Sequence, residues 1–373
     1  MRPLKVAIVC DFAEEGWLSM ELWADMLLEN LPRVSAGTVS ATRLQPAMMR
    51  RWQALPIVGR TARARLADRL TGRHWDYPRW LATHHAGFDV FHIVDHSYAH
   101  LTDALPRGKA IVTCHDLDAI RAALPGFDRS APIERLMARR VLSGLRGAAR
   151  IACVSEATRS ELIAENVADT ARISVVHAGV HPSCVPDVST AQNGSLLHVG
   201  STIPRKRIDV LLDVFAGVRA SAPKLRLIRV GGRLTASQRA RAATLGVLDA
   251  IDEMPTLDRH QLADLYRRAA IVLLPSDREG FGLPLAEAMA CGTPVVASAL
   301  PSLQEVGGSA AVYCPPAEPG AWIQAVESLL KQRERDAEAW KARRDACVRN
   351  AARFNWQTHT AEMVRLYSQV AAQ

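Results

Sequence analysis

The stretch from Ile271 to Ala297 leaves this chain few ways to fold. Ile271-Val272-Leu273-Leu274-Pro275 is a short unbroken apolar run, the pattern of a parallel strand covered on both faces. A turn punctuated by Gly280 and Gly282 follows, carrying Glu279. Pro284 suits the first turn of a helix, because the amide it lacks would have had no partner there. The helix reads Leu285 to Cys291 and stops at Gly292, a residue that tolerates left-handed backbone. Pro294 then opens a second apolar run, Val295-Val296-Ala297. Strand, glycine loop, helix and strand in so short a span predict an α/β fold with helices over a parallel sheet.

The same stretch carries chemistry. A helix N-terminus presents free amides and partial positive charge to anionic oxygens. Gly280 and Gly282 let backbone approach a ligand closely. Glu279 on the loop and Glu287 in the first helical turn are acceptors for paired hydroxyls. Amides for phosphate and carboxylates for hydroxyls together describe a sugar nucleotide. An acidic first turn that only complements its helix dipole accounts for Glu287 alone, but not for the full spacing.

At 373 residues the chain is long enough for two domains, taking about 100–200 residues for each. A net charge of +8 favours anionic partners: nucleotide phosphates, anionic lipid or nucleic acid. The seven cysteines stand singly without Cys-x-x-Cys spacing. They read as small buried hydrophobes in a reducing cytoplasm, and neither a metal nor a redox dithiol is expected. Leu4 to Cys10 reads as a strand rather than a signal segment, and no stretch approaches the length of a membrane span.

Taken in order, Val6–Cys10 is followed by Asp11 to Gly16 and a helix from about Leu18 to Leu31. That first loop lacks Gly-x-Gly-x-x-Gly, so a tightly held pyrophosphate is not expected there. Gly16 fits either an amide turned to a ligand or a plain turn. Residues 43–80 are basic: Arg43, Arg50, Arg51, Arg60, Arg63, Arg65, Arg69, Arg73 and Arg79 meet only Asp68 and Asp76. Met48, Met49, Trp52, Leu55, Ile57, Val58, Trp75 and Trp80 are interleaved with them, which suits an anionic membrane surface or an ordinary solvated face. No nucleic-acid module accompanies this charge. His115 follows the strand Ala110–Cys114, at the end where open α/β sheets bind ligands. Asp116-x-Asp118 lacks the company a metal site needs. Residues 181–194 read as an interdomain linker. The alternation then restarts at Leu196–Gly200, with a basic loop, Ser201 to Arg207, whose three cations can reach a diphosphate.

Glu279-Gly280-Phe281-Gly282-Leu283-Pro284-x-x-Glu287, with its continuation to Ala297, resembles the Glu-x7-Glu signature of the retaining family-4 glycosyltransferases. Val199 to Lys206 resembles that family's phosphate loop, while His115-Asp116-Leu117, Val154 to Thr158 and Leu262 to Ala270 resemble its weaker patterns. The resemblance implies a GT-B architecture of two Rossmann-like domains facing a cleft: 1–186 with the helix 356–373 for the acceptor, and 187–355 for the donor. It implies that Arg205 and Lys206 neutralise the donor diphosphate, with Gly16, Gly200, Ser201 and Gly231 lining that side. Glu287 takes the ribose, Glu279 with the Phe281–Leu283 amides holds the sugar, and His115 touches it from the other domain. The implied reaction is metal-free, retaining transfer of a hexosyl unit from GDP-mannose or a UDP-sugar. The implied acceptor is a glycan or lipid-linked molecule of cell-surface polysaccharide synthesis, at the inner face of the membrane. No cofactor beyond the donor is implied. Three departures stand out: Ser201 where many members have arginine, Glu14-Glu15-Gly16 where paired glycines are frequent, and Ala178-Gly179-Val180 where Asn-Gly-Val is frequent. A nucleotide-sugar epimerase, a phosphorylase and a non-catalytic binding protein are the alternatives.

Overall fold

The computed structural model describes residues 2–56, 59–126, 130–187 and 194–373. Ile57, Val58 and residues 188–193 of the expected linker lie outside the described residues. The chain divides into two compact units, Met1–Ala178 with Trp356–Gln373, and Gly179–Asn355.

The first unit is a parallel sheet of β1 (Leu4–Val9), β2 (Val39–Leu44), β3 (Val90–Ile93), β4 (Ala110–Cys114), β5 (Arg150–Cys153) and β6 (Ile173–Val175), in the order β2-β1-β3-β4-β5-β6. Alternation along β1 serves two cores, as the two-residue period of a strand requires. Val6 and Ile8 pack with Ala24, Leu27 and Leu31 of the helix Leu18–Val34, and with Met363 and Tyr367 of the C-terminal helix Trp356–Ala371. Ala7 and Val9 face the opposite layer, which holds Tyr77, Tyr98, Val141 and Leu145. The C-terminal helix is fixed by polar contacts as well. His92 Nδ1 lies 2.8 Å from the Tyr367 hydroxyl, and His359 Nδ1–H donates to the His177 carbonyl at 2.9 Å.

The second unit repeats the plan with β7 (Leu196–Val199), β8 (Leu227–Val230), β9 (Ile251–Met254), β10 (Ile271–Leu274), β11 (Val295–Ser298) and β12 (Val312–Cys314), ordered β12-β11-β10-β7-β8-β9. The order reverses between β7 and β10, whose register pairs Leu196 with Ile271 and Leu197 with Val272. Loops leaving two such neighbours diverge and open a crevice beyond their carboxyl ends. The basic loop after β7 and the Glu279 loop after β10 are therefore neighbours by topology.

Two expectations need correction. The division falls after Ala178 rather than after residue 186, because the next residues are tied to the second unit. Ser183 Oγ donates to the Arg259 carbonyl at 3.2 Å, and Arg267 Nη1 donates to the Ser183 carbonyl at 3.0 Å. Glu287 stands one turn into the helix Leu283–Ala290 rather than in its first turn, and it is buried.

Candidate active site

At the reversal point of the second sheet, two loops meet through charge. Lys206 Nζ lies 2.5 Å from Glu279 Oε1, and Arg205 Nη1 lies 3.3 Å from Oε2. Main-chain contact sets the approach, since the Asp277 amide donates to the Arg205 carbonyl at 2.8 Å. Ser276 Oγ donates to Glu279 Oε1 at 2.7 Å, and Ser302 Oγ donates to the Glu279 carbonyl at 2.5 Å. The Glu279 side chain is only 7% exposed. Burial pushes its pKa up, but Lys206 and Arg205 outweigh burial and hold the carboxyl below its ordinary value. Glu279 is therefore an ionised carboxylate with two cations already gathered around it.

The third cation of the loop does not join them. Arg207 takes a left-handed φ of +47° and pairs with Asp209 at 2.8 Å and Asp277 at 2.9 Å. Of the three loop cations expected to reach a diphosphate, Arg207 is thus held by these two carboxylates instead.

Glu287 sits in a different environment from Glu279. Its Oε2 accepts from the Tyr266 hydroxyl at 3.1 Å, while its Oε1 faces Arg259 Nη1 at 3.5 Å without a hydrogen bond. Burial raises its pKa, with Arg259 and Tyr266 only partly opposing. A buried acceptor with an open lone pair is unusual in a finished core and fits a ligand hydroxyl. Arg259 and Tyr266 are partners that reading the sequence did not find. They stand two turns apart on the helix Arg259–Arg268, a spacing that places both on one face.

Gly282 is required twice over. Its φ is +84°, and a Cβ there would lie 2.3 Å from Leu303 Cδ2. Gly280, Phe281 and Leu283 flank it at the entry to the helix, with Phe281 edge-on to Phe354 at 5.3 Å. Gly200, Ser201 and Gly231 lie together at the ends of β7 and β8, where a Cβ on Gly231 would come within 2.5 Å of the Gly200 carbonyl oxygen.

In the first unit His115 follows β4, half-buried and edge-on to Trp23 at 4.6 Å. Its Nε2–H donates to the Val94 carbonyl at 2.8 Å, which leaves Nδ1 unprotonated in the neutral ring. Burial, with His96 beside it, lowers its pKa. Gly16 is a turn glycine: at φ +69° its amide donates to the Ala13 carbonyl at 3.1 Å rather than facing outward. The Asp116-x-Asp118 pair is engaged locally, the Asp118 amide donating to Asp116 Oδ1 and Arg121 Nε to Asp118 Oδ1, both at 2.9 Å. Asp11 at the end of β1, which the sequence reading did not single out, is buried. Desolvation with Asp95 and Glu15 nearby pushes its carboxyl up to about 7.

The basic segment is less bare than its composition implied. Glu15 binds Arg69 at 3.0 Å and also pairs with Arg73, Asp25 pairs with Arg43, and Asp76 binds Arg51 at 2.5 Å. Asp68 is buried and accepts from the Trp52 and Gln53 amides at 2.8 and 2.9 Å, so it organises the loop rather than the charge. Arg50, Arg60, Arg63 and Arg65 remain exposed without an ion pair among the described residues.

Known proteins resemble this chain in sequence and in fold. Residues 190–351 match the glycosyl transferases group 1, and residues 38–183 match Glycosyltransferase Family 4. The D-inositol 3-phosphate glycosyltransferase of Frankia alni is 30% identical over 331 residues, covering 78% of this chain and 80% of that protein. The chain belongs to the family-4 glycosyltransferases. A second family relative, the D-inositol 3-phosphate glycosyltransferase of Gordonia bronchialis, is 32% identical over 279 residues, covering 69% of this chain and 60% of that protein. Among solved structures, sucrose-phosphate synthase from Thermosynechococcus elongatus superposes with a TM-score of 0.75 at 21% identity over 99% of each chain. Anabaena HepE, solved in complex with UDP and glucose, gives 0.71 at 15% identity, covering 98% of this chain and 99% of that one. The shared fold is GT-B.

Proposed function

We propose that this family-4 chain transfers a hexosyl unit from a nucleotide sugar to an acceptor hydroxyl, with retention of configuration and without a metal. The convergence of Lys206 and Arg205 on the ionised Glu279 carries the reading. Two cations at a strand-end loop suit a diphosphate, and Glu279 beside them suits the hydroxyls of the sugar attached to it. Glu287, with its open Oε1, receives the ribose hydroxyls. His115 contacts the transferred sugar on the strength of the family resemblance.

In the reaction the bond from the anomeric carbon to the β-phosphate oxygen breaks. The acceptor oxygen bonds to the same face of that carbon, and its proton passes to the departing phosphate oxygen. Charge develops on the leaving diphosphate, so fixed cations there contribute most. Losing one such donor costs about 100- to 1000-fold in rate.

Two observations bear on the acceptor. Trp17, Met49, Trp52, Leu55, Leu66 and Trp75 are all exposed, at 43–58%, on a surface where Arg50, Arg60, Arg63 and Arg65 make no ion pair among the described residues. That surface supports work at an anionic bilayer on a lipid-linked glycan. The names of the curated relatives favour D-inositol 3-phosphate as the second reading. Among the described residues no helix is long and apolar enough to cross a membrane. Incubation with UDP-glucose or GDP-mannose, with D-inositol 3-phosphate or a polyprenyl-linked glycan, separates the readings by which pair releases nucleoside diphosphate. Release of an epimerised nucleotide sugar from donor alone overturns the transferase assignment.

A further inference from the structure

Arg229 is fully buried in β8 and makes no ion pair among the described residues. A buried unpaired cation is expensive, and a neutral aliphatic side chain would complete the Leu-Ile-x-Val strand at lower cost. Its two hydrogen bonds show what it holds. Nη2 donates to the Gly200 carbonyl and Nη1 to the Gly232 carbonyl, each at 2.8 Å. These carbonyls belong to the turns that leave β7 and β8, which press together where Gly231 meets Gly200. Each carbonyl shares a peptide plane with the next residue's amide, Ser201 in one case and Arg233 in the other. The peptides are trans, so N–H and C=O point opposite ways. A guanidinium that draws both carbonyls inward therefore turns the Ser201 and Arg233 amides outward, beyond the carboxyl ends of the two strands. His198, buried close to Gly200, is kept neutral by burial with Arg229 and Lys206 beside it.

We propose that Arg229 is a positioning residue for the donor diphosphate: from beneath, it aims two main-chain N–H groups at the anion and adds its own field without touching the ligand. The inference rests on the donor reading above. Preset amides in a dry setting stabilise an oxyanion without reorganising.

The test uses the full chain and two variants, R229M and S201P, the latter removing one amide from an exposed loop while leaving the buried charge in place. Titration with UDP and GDP, and with uridine and guanosine by ligand-observed NMR, separates phosphate contacts from nucleoside contacts. We expect the preferred diphosphate to bind at least tenfold more weakly to each variant, with its nucleoside unchanged within twofold, and R229K to lose less than R229M. Equal weakening of diphosphate and nucleoside makes Arg229 merely structural and overturns the proposal, as does unchanged diphosphate affinity in either folded variant. If R229M does not fold, S201P decides. If the unmodified chain binds neither UDP nor GDP, the donor reading falls and this inference with it.

Discussion

Replacing Lys206 with methionine removes the nearer of the two cations on Glu279. At 2.5 Å the gross attraction in a medium of effective dielectric near 20 is roughly 7 kcal/mol, much of which is offset by the cost of desolvating both charges. The variant leaves a carboxylate that is 7% exposed, with Arg205 still 3.3 Å away and Ser276 Oγ at 2.7 Å. Breaking a buried pair from one side costs about 3–5 kcal/mol, and Arg205 trims that to about 2 kcal/mol here. For a unit of this size the melting temperature should fall by about 4–8 °C. The loss depends on pH. Because Glu279 titrates below its ordinary value, its stabilisation is complete above the unfolded pKa and disappears as pH falls through the folded one. The gap between wild type and K206M is therefore widest at pH 7 and narrows below about pH 4. Donor turnover should fall about 100- to 1000-fold. Calorimetry at pH 7 and pH 4, with nucleoside diphosphate release at pH 7, measures all three. Equal melting at pH 7, or a gap that widens on acidification, refutes the reasoning.

Glu287→Gln should raise thermal stability at neutral pH, because burial holds its carboxyl above the ordinary value and the charge is what folding disfavours. It should also weaken ribonucleotides about tenfold or more while sparing 2′,3′-dideoxy analogues; an equal loss for both removes Glu287 from the ribose. Gly282→Ala meets Leu303 Cδ2 at 2.3 Å in left-handed backbone and should cost about 1–3 kcal/mol by chemical denaturation. A neutral outcome would show that this turn relaxes freely. Binding to anionic vesicles should fall with salt and drop several-fold in the Trp52→Ala, Trp75→Ala double variant, whereas equal binding to neutral vesicles removes the membrane role.

What the sequence showed and hid follows from where residues lie in the sheets. The inner strands β1, β7 and β10 are largely apolar runs and could be read directly. β2 and β9 could not, because they are sheet edges: Val39-Ser-Ala-Thr-Arg-Leu44 and Ile251-Asp-Glu-Met254 carry the polar residues that edges tolerate. Arg205 and Lys206 in one strand-to-helix turn and Glu279 in another were readable as candidates, yet their pairing depends on the β7–β10 adjacency. Pairing also explains the overcount of free charge in residues 43–80, since Glu15 and Asp25 reach that segment only through the fold. Arg229 passed as one polar residue in a strand, since nothing local reveals that its guanidinium spans two glycine turns.

The central claim is that the loop after β7 and the loop after β10 together hold a nucleoside diphosphate. Calorimetric titration of UDP and GDP into the wild-type chain and into the Arg205→Ala, Lys206→Ala double variant tests it most directly. We expect one of the two nucleotides to bind the wild type and to lose at least a hundredfold in affinity in the folded double variant. Indistinguishable affinities would contradict the assignment of this site.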